Sequence, residues 1–259
     1  MNLQDSVVLI TGASSGIGEK AAHLCAERKA RLVLAARSTE SLEALAHQIT
    51  SSGGSAIAVP TDVTERAQVQ ALVERALAEY GQVDALVNNA GFGVFDSIKK
   101  ARFEDLDDMM QVNLYGAVHC IQTLLPHMLE RGRGQIVNVA SMSGLVATQN
   151  QAFYNATKFA LVGMSRALQL DLHRTGVKCA IVCPGPVRTP FFTRADKEKL
   201  VRASRYMPWL NAEDVAWKIV EAIANDSSGE IVLPARMYPL VSLSGAFPAL
   251  SRFLLRLMG

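Results

Sequence analysis

The chain has 259 residues, 49% of them hydrophobic, which is enough for one large core and argues a single domain over 1–259. Its 26 basic and 24 acidic residues leave a net charge of +2, too balanced to point to a nucleic-acid partner. Cys25, Cys120, Cys179 and Cys183 lie in apolar runs without CxxC or metal-ligand spacing, so buried reduced thiols and no metal site are expected.

The start, MNLQDSVVLITG, lacks the basic opening and long apolar stretch of a secretory signal, which predicts a cytosolic protein. Residues 7–10 read as a short strand, followed at once by TGASSGIG and a helical pattern over 17–28. Strand, glycine turn and helix is the arrangement that cradles a dinucleotide pyrophosphate. Gly12 permits the tight turn, Gly16 lets the backbone approach the phosphates, and Gly18 lets the helix pack on the sheet. The helix N-terminus then offers free N–H groups to the anion.

A second strand, 32–36, ends at Ala36, about twenty residues after the loop, where an NAD site carries an acid for the ribose 2′-hydroxyl. Arg37 follows instead. Its guanidinium can hold a 2′-phosphate, so NADP(H) is expected over NAD(H); the plainer alternative is a solvated loop charge. A polar helix over 39–51, the turn SSGG and a strand at 56–59 come next. Asp62 and Val63 stand at that strand's end, placed to contact the adenine, although Asp62 or Thr64 could equally cap the next helix, which runs to about Tyr80.

The fourth apolar run, 84–87, ends in NNAG at 88–91, small residues that let a ribose pass close by. A helix over 105–131 carries Asn113 in its interior, where asparagine is mildly unfavourable and, if buried, needs a structural or chemical reason. The strand 135–140 stops at Ser141. A helix from Gln151 or Ala152 to about Thr175 then carries Tyr154 and Lys158 one turn apart on one face. An ammonium there would lower the tyrosine hydroxyl from its usual value of about 10 and make it a usable acid or base. Ser141 would hydrogen-bond the same substrate oxygen. Alone, Tyr-x-x-x-Lys is more often an ordinary core tyrosine and a solvated lysine; its neighbours in the chain decide otherwise.

The strand 177–182 runs into PGPVRTP, where Pro184 and Pro186 stiffen a turn. Residues 188–210 are expected to form a lid, with Phe191, Phe192, Tyr206 and Trp209 beside Arg194, Lys197, Lys199, Arg202 and Arg205. A helix over 211–225 and a strand near 230–233 complete an alternation that no linker or repeat interrupts. The expected fold is α/β: a Rossmann-like, doubly wound parallel sheet with the ligand at the strands' carboxyl ends.

TGASSGIG, NNAG, Asn113, Ser141, Tyr154-x-x-x-Lys158 and PGPVRTP occur in this order and at these spacings, and over roughly residues 5–233 the chain resembles the short-chain dehydrogenase/reductase family. The resemblance implies that Tyr154 exchanges the proton, Lys158 lowers its pKa and holds the nicotinamide ribose, and Ser141 orients the substrate oxygen. Asn113 would hold a water that links the lysine to solvent. Gly12, Ser14, Gly16, Ile17 and Gly18 would surround the pyrophosphate, and Asn89, Ala90 and Gly91 would line the ribose. Pro184, Gly185, Val187 and Thr189 would complete the cofactor contacts, with Thr189 at the nicotinamide amide. NADP-preferring relatives often carry a basic residue where this chain has Ser15 in the loop, so the NADP(H) expectation rests on Arg37.

Residues 234–259 extend past the last strand, apolar and basic, with Arg236, Arg252 and Arg256 and no acidic residue. Their apolar runs are too short to span a bilayer. A flap over the substrate, an oligomer contact and a peripheral membrane element stay open as readings. The expected activity is an NADP(H)-dependent oxidoreductase acting on a carbonyl or secondary alcohol of a lipophilic substrate. A 3-oxoacyl-thioester reductase and a dinucleotide-binding redox sensor are the alternatives. A homodimer or homotetramer, paired through the helices at 105–131 and 152–175, follows from the resemblance.

Overall fold

The computed structural model describes residues 1–193 and 208–246. Its strands are β1 (Val7–Thr11), β2 (Arg31–Ala36), β3 (Ser55–Pro60), β4 (Ala85–Asn88), β5 (Gly134–Val139), β6 (Val177–Pro184), a short separate pair β7 (Val187–Arg188) and β8 (Leu210–Asn211), and β9 (Gly229–Leu233). Its helices are α1 (Gly16–Glu27), α2 (Thr39–Ser51), α3 (Arg66–Tyr80), α4 (Phe103–Met110), α5 (Gly116–Glu130), α6 (Ala152–Asp171), α7 (Ala212–Ala224) and α8 (Tyr238–Ala246).

Seven strands form one sheet in the order β3-β2-β1-β4-β5-β6-β9, and every pairing is parallel. Both faces are covered. Val8 and Ile10 join the core beneath α1, α2 and α7, whereas Val7 and Leu9, pointing the other way, join that beneath α3, α5 and α6. Burial on both faces is why these strands read as continuous apolar runs rather than as alternating ones. The order of strands reverses between β1 and β4. Their carboxyl ends therefore open the crevice where ligands bind in such sheets.

At the opposite rim, the fully buried Asp84 ties the sheet to the segment after α5. It accepts hydrogen bonds from the Val7 N–H (2.9 Å), Gln82 (2.9 Å), Arg131 (2.7 Å) and Arg133 (2.8 Å). Burial alone would raise its carboxyl, but the bonds from Arg131, Val7 and Arg133 outweigh burial and hold it below the usual carboxylate range.

Three local expectations need correction. The helix expected over 105–131 begins at Phe103 and is interrupted by a π segment, Gln111–Tyr115, between α4 and α5. Asp105 is not its first residue but lies inside the first turn, where its carboxylate accepts from the Arg102 N–H. Neither Asp62 nor Thr64 caps α3, because Glu65 occupies the cap position and Asp62 Oδ1 accepts from the Thr64 N–H and hydroxyl instead. The helix expected to reach Thr175 stops at Asp171, since Arg174 (φ 67°) and Gly176 (φ 81°) turn the chain through left-handed conformations.

The four cysteines are free and buried, as their apolar context predicts. Of the lid, β7, the turn Pro190–Thr193 and β8 are described; Arg194, Lys197, Lys199, Arg202, Arg205 and Tyr206 lie outside the described residues, as do 247–259 of the extension. Among the described residues, no helix is long and apolar enough to cross a membrane.

Candidate active site

The glycine loop and the segment at 88–91 lock together at the crevice. A Cβ on Gly12, whose φ is +64°, would stand 2.8 Å from the Ala90 Cα, and one on Gly18 would stand 2.3 Å from the Gly12 carbonyl oxygen. Only glycine allows backbone to meet backbone this closely. Asn89 Nδ2 donates to the carbonyls of Thr11 and Gly12, each at 3.0 Å, while the N–H groups of Asn89 and Ala90 donate to Thr11 Oγ1 at 3.0 and 3.1 Å. Asn89 thus braces the loop. Its Nδ2 serves that task, a role the sequence did not suggest.

Ser15, at the cap position of α1, makes no side-chain capping bond, so the first N–H groups of α1 have no side-chain cap. Ser14 and Ile17 are half-buried beside them and Ser15 is exposed. Thr189 is brought to this loop: a Cβ on Gly16 would meet the Thr189 Cβ at 3.2 Å. Pro184 and Val187 are buried, and the Gly185 N–H donates to the Leu233 carbonyl at 2.8 Å, which fixes the turn that delivers Thr189. An uncapped helix N-terminus behind a glycine turn fits a dinucleotide pyrophosphate. Arg37 is exposed immediately past β2, and Val63 is buried past β3 beside a half-buried Asp62.

Tyr154, Lys158 and Asn113 meet beside Gly91 and are all buried, at 6%, 5% and 2% exposure. An added Cβ on Gly91 would stand 2.9 Å from Asn113 Oδ1 and 3.7 Å from Lys158 Nζ. Lys158 Nζ donates to the Val139 carbonyl at 3.2 Å and lies 5.9 Å from the centre of the Tyr154 ring. Ser141 Oγ accepts from the Ser143 N–H at 3.1 Å and donates to the Pro184 carbonyl at 3.5 Å, close enough to Tyr154 to draw its hydroxyl down. Asn113 Nδ2 donates to the Phe92 carbonyl (2.9 Å) and to Thr157 Oγ1 (3.1 Å), while Oδ1 accepts from the Phe92 N–H (3.0 Å). These bonds are the structural reason for an asparagine inside a helix. The π segment around it is the kind of local irregularity that recurs at functional sites.

Burial dominates the electrostatics here. It pushes the Tyr154 hydroxyl up, with Ser141 pulling the other way, and pushes the Lys158 ammonium down to about 8. Desolvation is the largest cause acting on both groups. Ser141 is the neighbour that draws the hydroxyl down.

Two residues at this site escaped the sequence reading. Thr157, between Tyr154 and Lys158, was legible only as a polar residue on a helix. Phe95 offered no signal at all. It is buried with its ring centre 5.0 Å from that of Tyr154, and Phe191 from the lid lies 6.1 Å from Tyr154 and 6.3 Å from Phe95. Phe92, Val94 and Phe153 pack around this group.

Comparison with known proteins gives the same family throughout. The short chain dehydrogenase family matches residues 6–200. An uncharacterised oxidoreductase of Staphylococcus aureus (strain MW2) is 35% identical over 228 residues, covering 87% of this chain and 94% of that protein. A short chain dehydrogenase/reductase from Burkholderia phymatum in complex with NAD superposes with a TM-score of 0.88 at 30% identity, covering 96% of both chains. A 3-ketoacyl-(acyl-carrier-protein) reductase from Brucella melitensis complexed with NADH gives a TM-score of 0.82 at 33% identity, covering 89% of this chain and 97% of that one. Other similar structures hold NADPH or 5-hydroxy-NADP. The matched span takes in the glycine loop, the brace at Asn89 and the group around Tyr154, and the chain is an oxidoreductase belonging to the short-chain dehydrogenase/reductase family.

Proposed function

We propose that the protein is an NADP(H)-dependent oxidoreductase acting between a carbonyl and a secondary alcohol of a lipophilic substrate. The observation that carries this reading is the group of buried Tyr154, Lys158 and Asn113 with half-buried Ser141, next to Gly91. The dinucleotide supplies the hydride when bound. In the reducing direction Tyr154 gives its proton to the carbonyl oxygen, and Ser141 donates a hydrogen bond to the same oxygen as charge develops. Lys158, whose Nζ donates to the Val139 carbonyl and lies by Gly91, would hold the ribose and return a proton toward Tyr154. Asn113 keeps the Phe92 backbone and α6 in register with it.

Arg37, standing where an acid would repel a 2′-phosphate, supports NADP(H) over NAD(H). The rings of Phe95 and Phe191 against Tyr154 support an apolar substrate. The first part of the C-terminal extension supports the flap reading: Val241 is buried in a cluster with Met142, Ile181, Cys183 and Val232, next to Ser141. Exposed Tyr115, Phe159 and Leu170 support pairing of two copies through the run of α4 and α5 and through α6.

The test is NADPH oxidation with aliphatic, aromatic and steroidal ketones, alongside NADH and the Tyr154→Phe variant. Turnover that requires NADPH and disappears in the variant is the expected result. Tight NADPH binding without turnover of any ketone would overturn it in favour of a redox sensor. The likeness to the Brucella melitensis reductase favours a second reading, reduction of 3-oxoacyl thioesters. Including such a thioester in the panel separates the two.

A further inference from the structure

We propose that His119 is a positioning residue for the adenine end of the dinucleotide and acts through the backbone of Val63. This rests on the dinucleotide reading above. His119 Nδ1 lies 3.0 Å from the Val63 carbonyl oxygen. A carbonyl only accepts, so Nδ1 carries the proton and donates.

Gly116, one turn earlier on α5, grips the same residue from its side chain. A Cβ there would stand 2.5 Å from Val63 Cγ2 and 2.9 Å from its Cβ. Helix α5 therefore holds Val63 at two points, a carbonyl bond and a close apolar contact. The neighbouring backbone is held separately, since the Asp62 N–H donates to Gln68 Oε1 at 2.9 Å and Asp62 Oδ1 accepts from Thr64. Gln68 ties the turn to α3, and His119 supplies its hydrogen bond to α5.

The location gives the bond its use. Val63 follows β3 at the carboxyl rim of the sheet, on the side of β1 away from Tyr154, where the adenosine half of a dinucleotide extends. It belongs to the same buried cluster as Ala35 of β2, and Ala90 packs against that cluster. One helical run thus serves both halves of the crevice: Asn113 anchors the Phe92 loop and α6, and His119 further along anchors the adenine wall.

The test compares wild type with His119→Leu, which keeps the bulk and removes the donor, and with His119→Asn, whose amide N–H stands near the position of Nδ1. Calorimetry measures binding of 2′,5′-ADP and of nicotinamide mononucleotide, which lacks adenine, and steady-state kinetics gives kcat and the KM for NADPH. Losing one neutral hydrogen bond corresponds to roughly a three- to tenfold change. His119→Leu is expected to weaken 2′,5′-ADP and to raise the KM for NADPH by that factor, leaving kcat and mononucleotide binding in place; His119→Asn is expected to recover most of the loss. Equal 2′,5′-ADP affinity in wild type and His119→Leu, an equal loss of mononucleotide, or no recovery in His119→Asn would overturn the proposal alone. Failure of the wild-type protein to bind any dinucleotide would overturn the functional reading along with it.

Discussion

Thr157 stands between Tyr154 and Lys158 on α6, and its hydroxyl accepts a hydrogen bond from the Asn113 amide N–H at 3.1 Å while donating to the Tyr154 carbonyl at 2.9 Å. The π segment is thereby bonded directly to the helix that carries the proton-transfer pair. Thr157→Val keeps the shape and leaves the buried Asn113 N–H without that partner. A loss of about 1–3 kcal/mol in urea denaturation is expected, with a lower kcat and little change in NADPH affinity. An unaltered kcat would mean that the link is only structural.

Burial lowers the Lys158 ammonium from 10.5 to about 8. Between those values the unfolded chain binds the proton and the folded chain does not, so stability rises with pH across that window. Below about 8 the folded protein carries the whole penalty of the buried charge, on the order of 3 kcal/mol. Lys158→Met should therefore be more stable than wild type near pH 7 and should lose that advantage as the pH approaches 10.5. Denaturation curves at several pH values measure the gap; a gap that does not narrow would contradict the argument.

Arg37 is exposed at the end of β2 and follows the buried Ala36. If Arg37 holds the 2′-phosphate as proposed, Arg37→Asp replaces that contact with repulsion, and the KM for NADPH is expected to rise about ten- to hundredfold. NADH should be used as well as before or better. Parallel initial-rate measurements with the two dinucleotides decide it.

Phe191 touches both Phe95 and Tyr154 at ring-centre distances of 6.3 and 6.1 Å. Ring pairs of this kind contribute about 0.5–1.5 kcal/mol each. Phe191→Ala should raise the KM for bulky aryl ketones several-fold and leave that for small aliphatic ketones nearly unchanged. A uniform effect on both would show that the ring supports the fold rather than the substrate.

The glycine turn was legible because Gly12 and Gly18 answer steric demands that no other residue satisfies, and the demand leaves its mark in the chain itself. The strands were legible because burial on both faces makes each one a continuous apolar run. The π segment was not, since Asn113 at its centre is held by bonds to Phe92 and Thr157, partners far apart in the chain. Asp62 likewise read as a possible cap, and its bond to Thr64 settled against that only once the β3–α3 turn was in view.

By itself, then, the sequence determined the alternation of strands and helices, the glycine loop at the first of them, and the placing of Tyr154 and Lys158 on one helical face, because each depends on residues close together in the chain. Only the tertiary structure decided that Asn89 braces the loop, that Phe95 covers Tyr154, that His119 holds Val63, and that burial raises Tyr154 while lowering Lys158. The reason is physical: desolvation and long-range hydrogen bonds depend on what lies around a group in space, and local spacing carries no record of that.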